Sequence, residues 1–176
     1  MKQIIIATLL LIFGFRITGL AQENEKAEVQ FSISKFFWNV EGSFDKVDYN
    51  IQFDPEHLKT SKIYGKVSIS DINTSDEKRD THLQAKEWFD SSEFPEILIS
   101  SITIKAVEEN HFEGLFSISI KGITKEQTIS FKTLDKDGKH YLESDFKVSL
   151  EDYTIGGGTI SYVVGNEVKV EIRLEY

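Results

Sequence analysis

Val168-Lys169-Val170-Glu171-Ile172-Arg173-Leu174-Glu175-Tyr176 puts Val168, Val170, Ile172, Leu174 and Tyr176 on one face and only charged residues on the other. A strand turns successive side chains to opposite faces, so this period of two predicts a β-strand with one face buried and one in water. The same alternation groups Phe112 with Phe116, Ile118 and Ile120, Ile129 with Phe131, and Phe146 with Val148 and Leu150. Near the start, Val29, Phe31 and Ile33 alternate with Gln30, Ser32 and Ser34. Between Ile97 and Ile104 the phase slips, from Ile97 and Ile99 to Ile102 and Ile104, which predicts a β-bulge near Ser100-Ser101.

Turn signals at 44–48, 54–62, 108–111, 123–125 and 135–139 divide the chain into eight or nine strand candidates, with Asp137-Gly138 marking a tight hairpin. One stretch departs from the pattern. Residues 80–90 are rich in helix formers, and Thr81 with Gln84 three residues on fits a capping box. Leu83, Trp88 and Phe89 there cannot all face solvent, so a short helix is expected over one end of the sheet. Many antiparallel strands, one helix and no linker suggest a barrel, whose closure removes exposed edges. A two-sheet sandwich would give the same alternation, and periodicity does not separate the two.

The 176 residues suffice for one domain with a substantial core. Lys2, the apolar run Ile4–Phe15 and the small residues of Gly19-Leu20-Ala21 form the pattern of a secretory signal peptide over residues 1–21, with cleavage expected after about Ala21. The run is shorter than the roughly 20 residues a bilayer needs, so no stable membrane insertion is expected after cleavage. Residues 22–28 read as a flexible lead-in and 29–176 as the folded domain. Loss of residues 1–21 would take the formal charge from −9 to −11. Such a surface repels phosphate backbones and argues against nucleic acid as a partner. The chain has no Cys, so stability must come from burial and the hydrogen-bond ladder.

No arrangement suited to catalysis stands out. His57, His82, His111 and His140 are far apart and fall in no metal-ligand spacing. The acidic run from Asp71 has Asp76 where a calcium loop needs Gly, and Gly156-Gly157-Gly158 lacks the Lys of a phosphate loop. There is no G-x-S-x-G elbow. The notable feature is 13 Phe, 6 Tyr and 2 Trp. Phe31, Trp38, Phe44, Phe53, Phe116, Phe131 and Phe146 fall on inward faces, and Phe89 lies in the helical stretch. Each could simply fill a core. As a set they exceed what a tight barrel of about eight strands needs, and such a barrel can also hold one slender ligand.

Six ordered segments carry a family resemblance: Val40-Glu41-Gly42-Ser43-Phe44, Phe53-Asp54-Pro55, the run Arg79-Asp80-x-His82-Leu83 with Trp88-Phe89-Asp90 and Phe94-Pro95, Ser100–Ile104, Ile120–Lys125, and Asp152-Tyr153-x-Ile155-Gly156. Together they resemble the YceI-like family of exported lipocalin-like barrels, over about residues 29–176. Three positions depart from its pattern: Leu150-Glu151 stands for Asn-Arg, Thr154 for a Gly, and Phe36-Phe37-Trp38 for a segment that commonly holds His. The resemblance implies an all-β, extended antiparallel barrel of about eight strands with one short helix near 80–90. Its interior would hold a polyisoprenoid, such as an isoprenoid quinone or prenyl carrier, and no other cofactor or metal is implied.

The expected function is that of a periplasmic or secreted carrier, not an enzyme, binding an apolar isoprenoid-like small molecule; a homodimer is compatible with the sequence. Arg79, Asp80 and His82 read mainly as a structural helix-start motif, with recognition of a ligand head group at the barrel mouth as the functional reading. Two other readings stay open. One is a stress-related or surface-interaction protein whose interior is filled by side chains. The other, less supported, is a hydrolase or isomerase acting on isoprenoids.

Overall fold

The structure, a computed structural model, describes residues 27–35, 38–156 and 165–176, with the side chains of Lys35 and Trp38 outside that description. The expected signal peptide and the lead-in as far as Lys26 therefore lie outside the described residues, as do Phe36, Phe37, Gly157 and Gly158.

Among the described residues the alternating segments form ten strands: β1 (Ala27–Lys35), β2 (Trp38–Phe44), β3 (Val47–Gln52), β4 (Lys62–Ser68), β5 (Ile72–Asn73), β6 (Glu96–Glu108), β7 (His111–Ile120), β8 (Ile123–Lys136), β9 (Lys139–Ser149) and β10 (Glu167–Glu175). β1 begins two residues before Val29, inside the stretch read as a lead-in. All ten belong to one antiparallel sheet in the order β3-β4-β6-β7-β8-β9-β10-β1-β2-β5. That single ladder settles the choice left open by periodicity, because a sandwich would divide the strands between two sheets. The sheet curls into a half-barrel of lipocalin-like form. Across the curl, the Tyr49 hydroxyl on β3 donates to the carbonyl of Glu175 on β10 at 2.8 Å.

The phase slip in the sequence has the cause expected of it. The β6–β7 register shifts between Ser101 and Thr103, leaving Ile102 partly exposed. This bulge turns Ser101 inward, where its Oγ accepts a hydrogen bond from the Ile63 amide at 2.9 Å.

The helix, α1 (Glu77–Gln84), begins and ends earlier than the 80–90 stretch suggested. Its cap is Asp76, whose Oδ1 accepts from the amides of Lys78 (3.1 Å) and Arg79 (3.2 Å). A carboxylate at that position satisfies two free N–H groups and complements the helix dipole. Thr81, expected as the cap, sits a turn inside, and its hydroxyl donates back to the Glu77 carbonyl at 2.8 Å. From Ala85 the chain folds back through turns, which lay Trp88 and Phe89 half-buried against the sheet.

At one end of the curl the interior is filled by rings. Phe112 and Phe131 stack at 5.4 Å between centroids, Phe53 meets them edge-on at 4.9 and 5.7 Å, and Phe116 meets Phe131 at 6.3 Å. Tyr176 closes the group at 6.0 Å from Phe53. Ile63, Ile129 and Leu142 pack around it, all buried.

A single turn of 3₁₀ helix (Glu151–Tyr153) follows β9 and ends at Thr154, with φ 52° and ψ 39°. A β-branched residue in the left-handed region is strained, whereas Gly adopts it freely. Thr154→Gly is therefore expected to raise unfolding free energy by about 1 kcal/mol, the strain relieved exceeding the backbone entropy lost. Phe131→Ala, which empties the centre of the ring cluster, should lower it by about 3–5 kcal/mol. Urea unfolding followed by tryptophan fluorescence reads both.

Candidate functional site

The opposite end of the curl is hollow. Beneath α1 lies a cavity of about 860 Å³ whose walls are inward residues of the sheet. β1 supplies Val29, Phe31 and Ile33, and β10 supplies Val168, Val170, Ile172 and Leu174. β6 and β7 contribute Ile97, Ile99, Ile118 and Ile120, while Phe146, Val148, Leu150 and Ile155 close another side. Leu83, Trp88 and Phe89 form the roof.

The burial of the strands shows how the two ends differ. On β10, Leu174 is buried while Val168, Val170 and Ile172 remain only half-buried, although the alternation is the same. These aliphatic side chains line the cavity, and Val168 and Val170 also pack against the buried core. The wall is shaped in part by Gly42, which pairs with Phe31 across β1 and β2. A methyl group at Gly42 would collide with the Phe31 ring, so the missing side chain is what lets that ring lie across β2. Phe31 then meets Phe44 at 5.6 Å.

The eight aromatic candidates divide between the ends. Phe31, Phe44, Phe89 and Phe146 line the cavity. Phe53, Phe116 and Phe131 belong to the packed ring cluster. The side chain of Trp38 lies outside the described residues. Sequence reasoning did not single out the aliphatic wall, above all Ile97, Ile99, Val168 and Val170. Their inward phase was legible, and what was missing was the empty space in front of them. Trp88 also went unselected, since its setting depends on the fold-back after α1.

The Arg79-Asp80-His82 motif resolves into a clamp and a free member. The buried Thr74 hydroxyl donates to Asp80 Oδ1 and accepts from Arg79 Nε at 2.7 Å. Asp80 Oδ1 also accepts from the Thr74 amide at 3.0 Å, and Arg79 Nη2 donates to the Thr74 carbonyl at 2.6 Å. These bonds fasten the start of α1 to the end of β5. The expected helix-start role of Arg79 and Asp80 thus takes the form of contacts to one residue, Thr74. His82 takes no part, being exposed with Nε2 3.1 Å from Glu87 Oε1. Near the cavity wall, burial and then the Asp152 carboxylate raise the Tyr153 hydroxyl above its ordinary pKa, which keeps it a neutral phenol. Among the described residues no three His, Cys, Asp or Glu side chains gather as a metal site would need.

The chain matches the YceI-like domain over residues 21–176. It is 31% identical over 171 residues to the UPF0312 protein SAB2563 of Staphylococcus aureus, covering 90% of this chain and 97% of that one. Among solved structures, BcnA of Burkholderia cenocepacia superposes with a TM-score of 0.81 at 18% identity, over 85% of this chain and 96% of the other. A polyisoprenoid binding domain from Saccharophagus degradans, implicated in plant cell wall breakdown, gives 0.70 at 12% identity, over 85% and 92%. Near-complete coverage of this ordered set of strands leaves one assignment: the chain belongs to the family of YceI-like domains.

Proposed function

We propose that this protein is an exported binding protein that holds a long apolar lipid of isoprenoid type in the hollow end of its barrel and carries out no chemistry on it. The observation that carries this reading is a cavity of about 860 Å³ walled by buried and half-buried aliphatic and aromatic side chains, next to an end of the same interior that is tightly filled. The relative from S. degradans, described as a polyisoprenoid binding domain, supports the same ligand class. Export rests on the signal-peptide pattern of residues 1–21.

The energetics favour such a ligand. Each buried CH₂ contributes about 0.8 kcal/mol, so a five-carbon isoprene unit contributes up to about 4 kcal/mol. A few units approach the ceiling of non-covalent affinity near 20 kcal/mol, beyond which cavity shape selects chain length. Here the shape is set by the inward residues of the strands and by the roof of Leu83, Trp88 and Phe89. The competing reading, a surface-interaction protein with a filled interior, is less well supported by a sheet whose inward residues at one end face open space.

Protein purified from its native source and extracted into organic solvent should yield an isoprenoid-type lipid by mass spectrometry, and an extract free of lipid would overturn the reading. Phe146→Asn should reduce the recovered lipid roughly tenfold while the protein stays folded by circular dichroism.

A further inference from the structure

On β2, Val40, Gly42 and Phe44 share the inward face, since a strand alternates its side chains. Val40 and Phe44 line the cavity, and between them the strand has no side chain. The Gly42 backbone does not lie in the left-handed region where glycine is favoured, so the reason for glycine is space. A Cβ at this position would lie 2.4 Å from Cζ and 2.8 Å from Cε2 of Phe31, its cross-strand partner on β1. Carbon atoms in contact sit about 3.5–4.0 Å apart, so the ring occupies the place of the missing side chain. Phe31 is itself half-buried and lines the cavity. A ring displaced from this seat has one way to go. Val170 is paired with Phe31 on the other side, Val29 and Ile33 flank it along β1, and Phe44 stands 5.6 Å away. All four also line the cavity, so the free space in front of the ring is the cavity itself.

We infer that Phe31, lying on Gly42, sets the width of the cavity, and that this pair is the specificity determinant that admits a methyl-branched chain. This rests on the lipid-binding reading above and adds the residues that select the kind of chain. A straight alkyl chain has the same width throughout, whereas an isoprenoid chain carries regularly spaced methyl branches and is wider at each one. With the ring flat against β2, the branches have room. With the ring raised into the cavity, a straight chain still passes and the branches lose their place. Each branch that is buried contributes on the scale of one CH₂, so the position of a single ring discriminates between the two kinds of chain. Cores and cavities lined this closely cannot absorb an added methyl group without moving a neighbour, and here the neighbour that must move is the ring.

The test uses the full folded protein and two alcohols with the same head and the same main chain: phytanol, which is methyl-branched, and cetyl alcohol, which is straight. Binding of each is read by displacement of a fluorescent fatty-chain probe, in the wild type, Gly42→Ala, Phe31→Ala and the double variant. The inference expects the wild type to prefer phytanol. Gly42→Ala should weaken phytanol about tenfold, the worth of roughly two methyl groups that no longer fit, with little change for cetyl alcohol. In the Phe31→Ala background the same Gly42→Ala change should leave phytanol binding unmoved, because there is no ring to raise. Phe31→Trp keeps Gly42 and enlarges the ring, and it too should weaken phytanol selectively, which keeps the inference testable where Gly42→Ala does not fold. A wild type without preference for phytanol, an equal loss of both alcohols in Gly42→Ala, or a Phe31→Trp protein with the wild-type preference would overturn it and leave lipid binding intact. A loss that persists without the ring would also overturn it, and would point to the Asn73 carbonyl oxygen, 3.0 Å from the same Cβ position. Failure of both alcohols to bind the wild type would overturn lipid binding and this inference together.

Discussion

The described strands form a single sheet with one inward face, and every apolar side chain on that face must be covered by the same sheet curling over it or by α1. The remaining features follow from how that demand is met. At the end built from β7, β8 and β9, the rings of Phe53, Phe112, Phe116 and Phe131 are wide enough to meet across the interior. At the other end the inward residues are mostly Val and Ile, too short to span the same distance, and the helix roofs the gap they leave. Packed core and cavity are two outcomes of one geometry with different side-chain lengths.

The helix can act as a roof because of a small polar joint. Thr74, Arg79 and Asp80 bind one another at the end of β5, and Asp76 caps α1 beside them. Buried polar groups are tolerable only when satisfied, and here nearly every donor at the joint finds an acceptor. Arg79 and Asp80 are thus both held by Thr74, which ties the start of the roof helix to the end of β5.

Much of the fold was legible before any coordinates. The alternation of 168–176, 112–120 and 146–150 assigned strands and inward faces correctly, and the slip after Ile99 located the bulge to within a residue or two. The helix was legible as an element and misplaced at its start, because Thr81-Gln84 and Asp76 are both acceptable caps locally. Asp76 prevails once Thr74 anchors the following turn. Thr154 was visible as a departure from the family pattern, but its left-handed backbone was not.

The candidate site was legible only by halves. Of the aromatic candidates, Phe31, Phe44, Phe89 and Phe146 line the cavity, while Phe53, Phe116 and Phe131 fill the packed end. By itself the sequence determined which side of each strand turns inward, since a period of two is a property of the local chain. Only the tertiary structure decided which inward residues touch and which face open space. That depends on the distance across the curl between strands remote in sequence, and no local pattern encodes that distance.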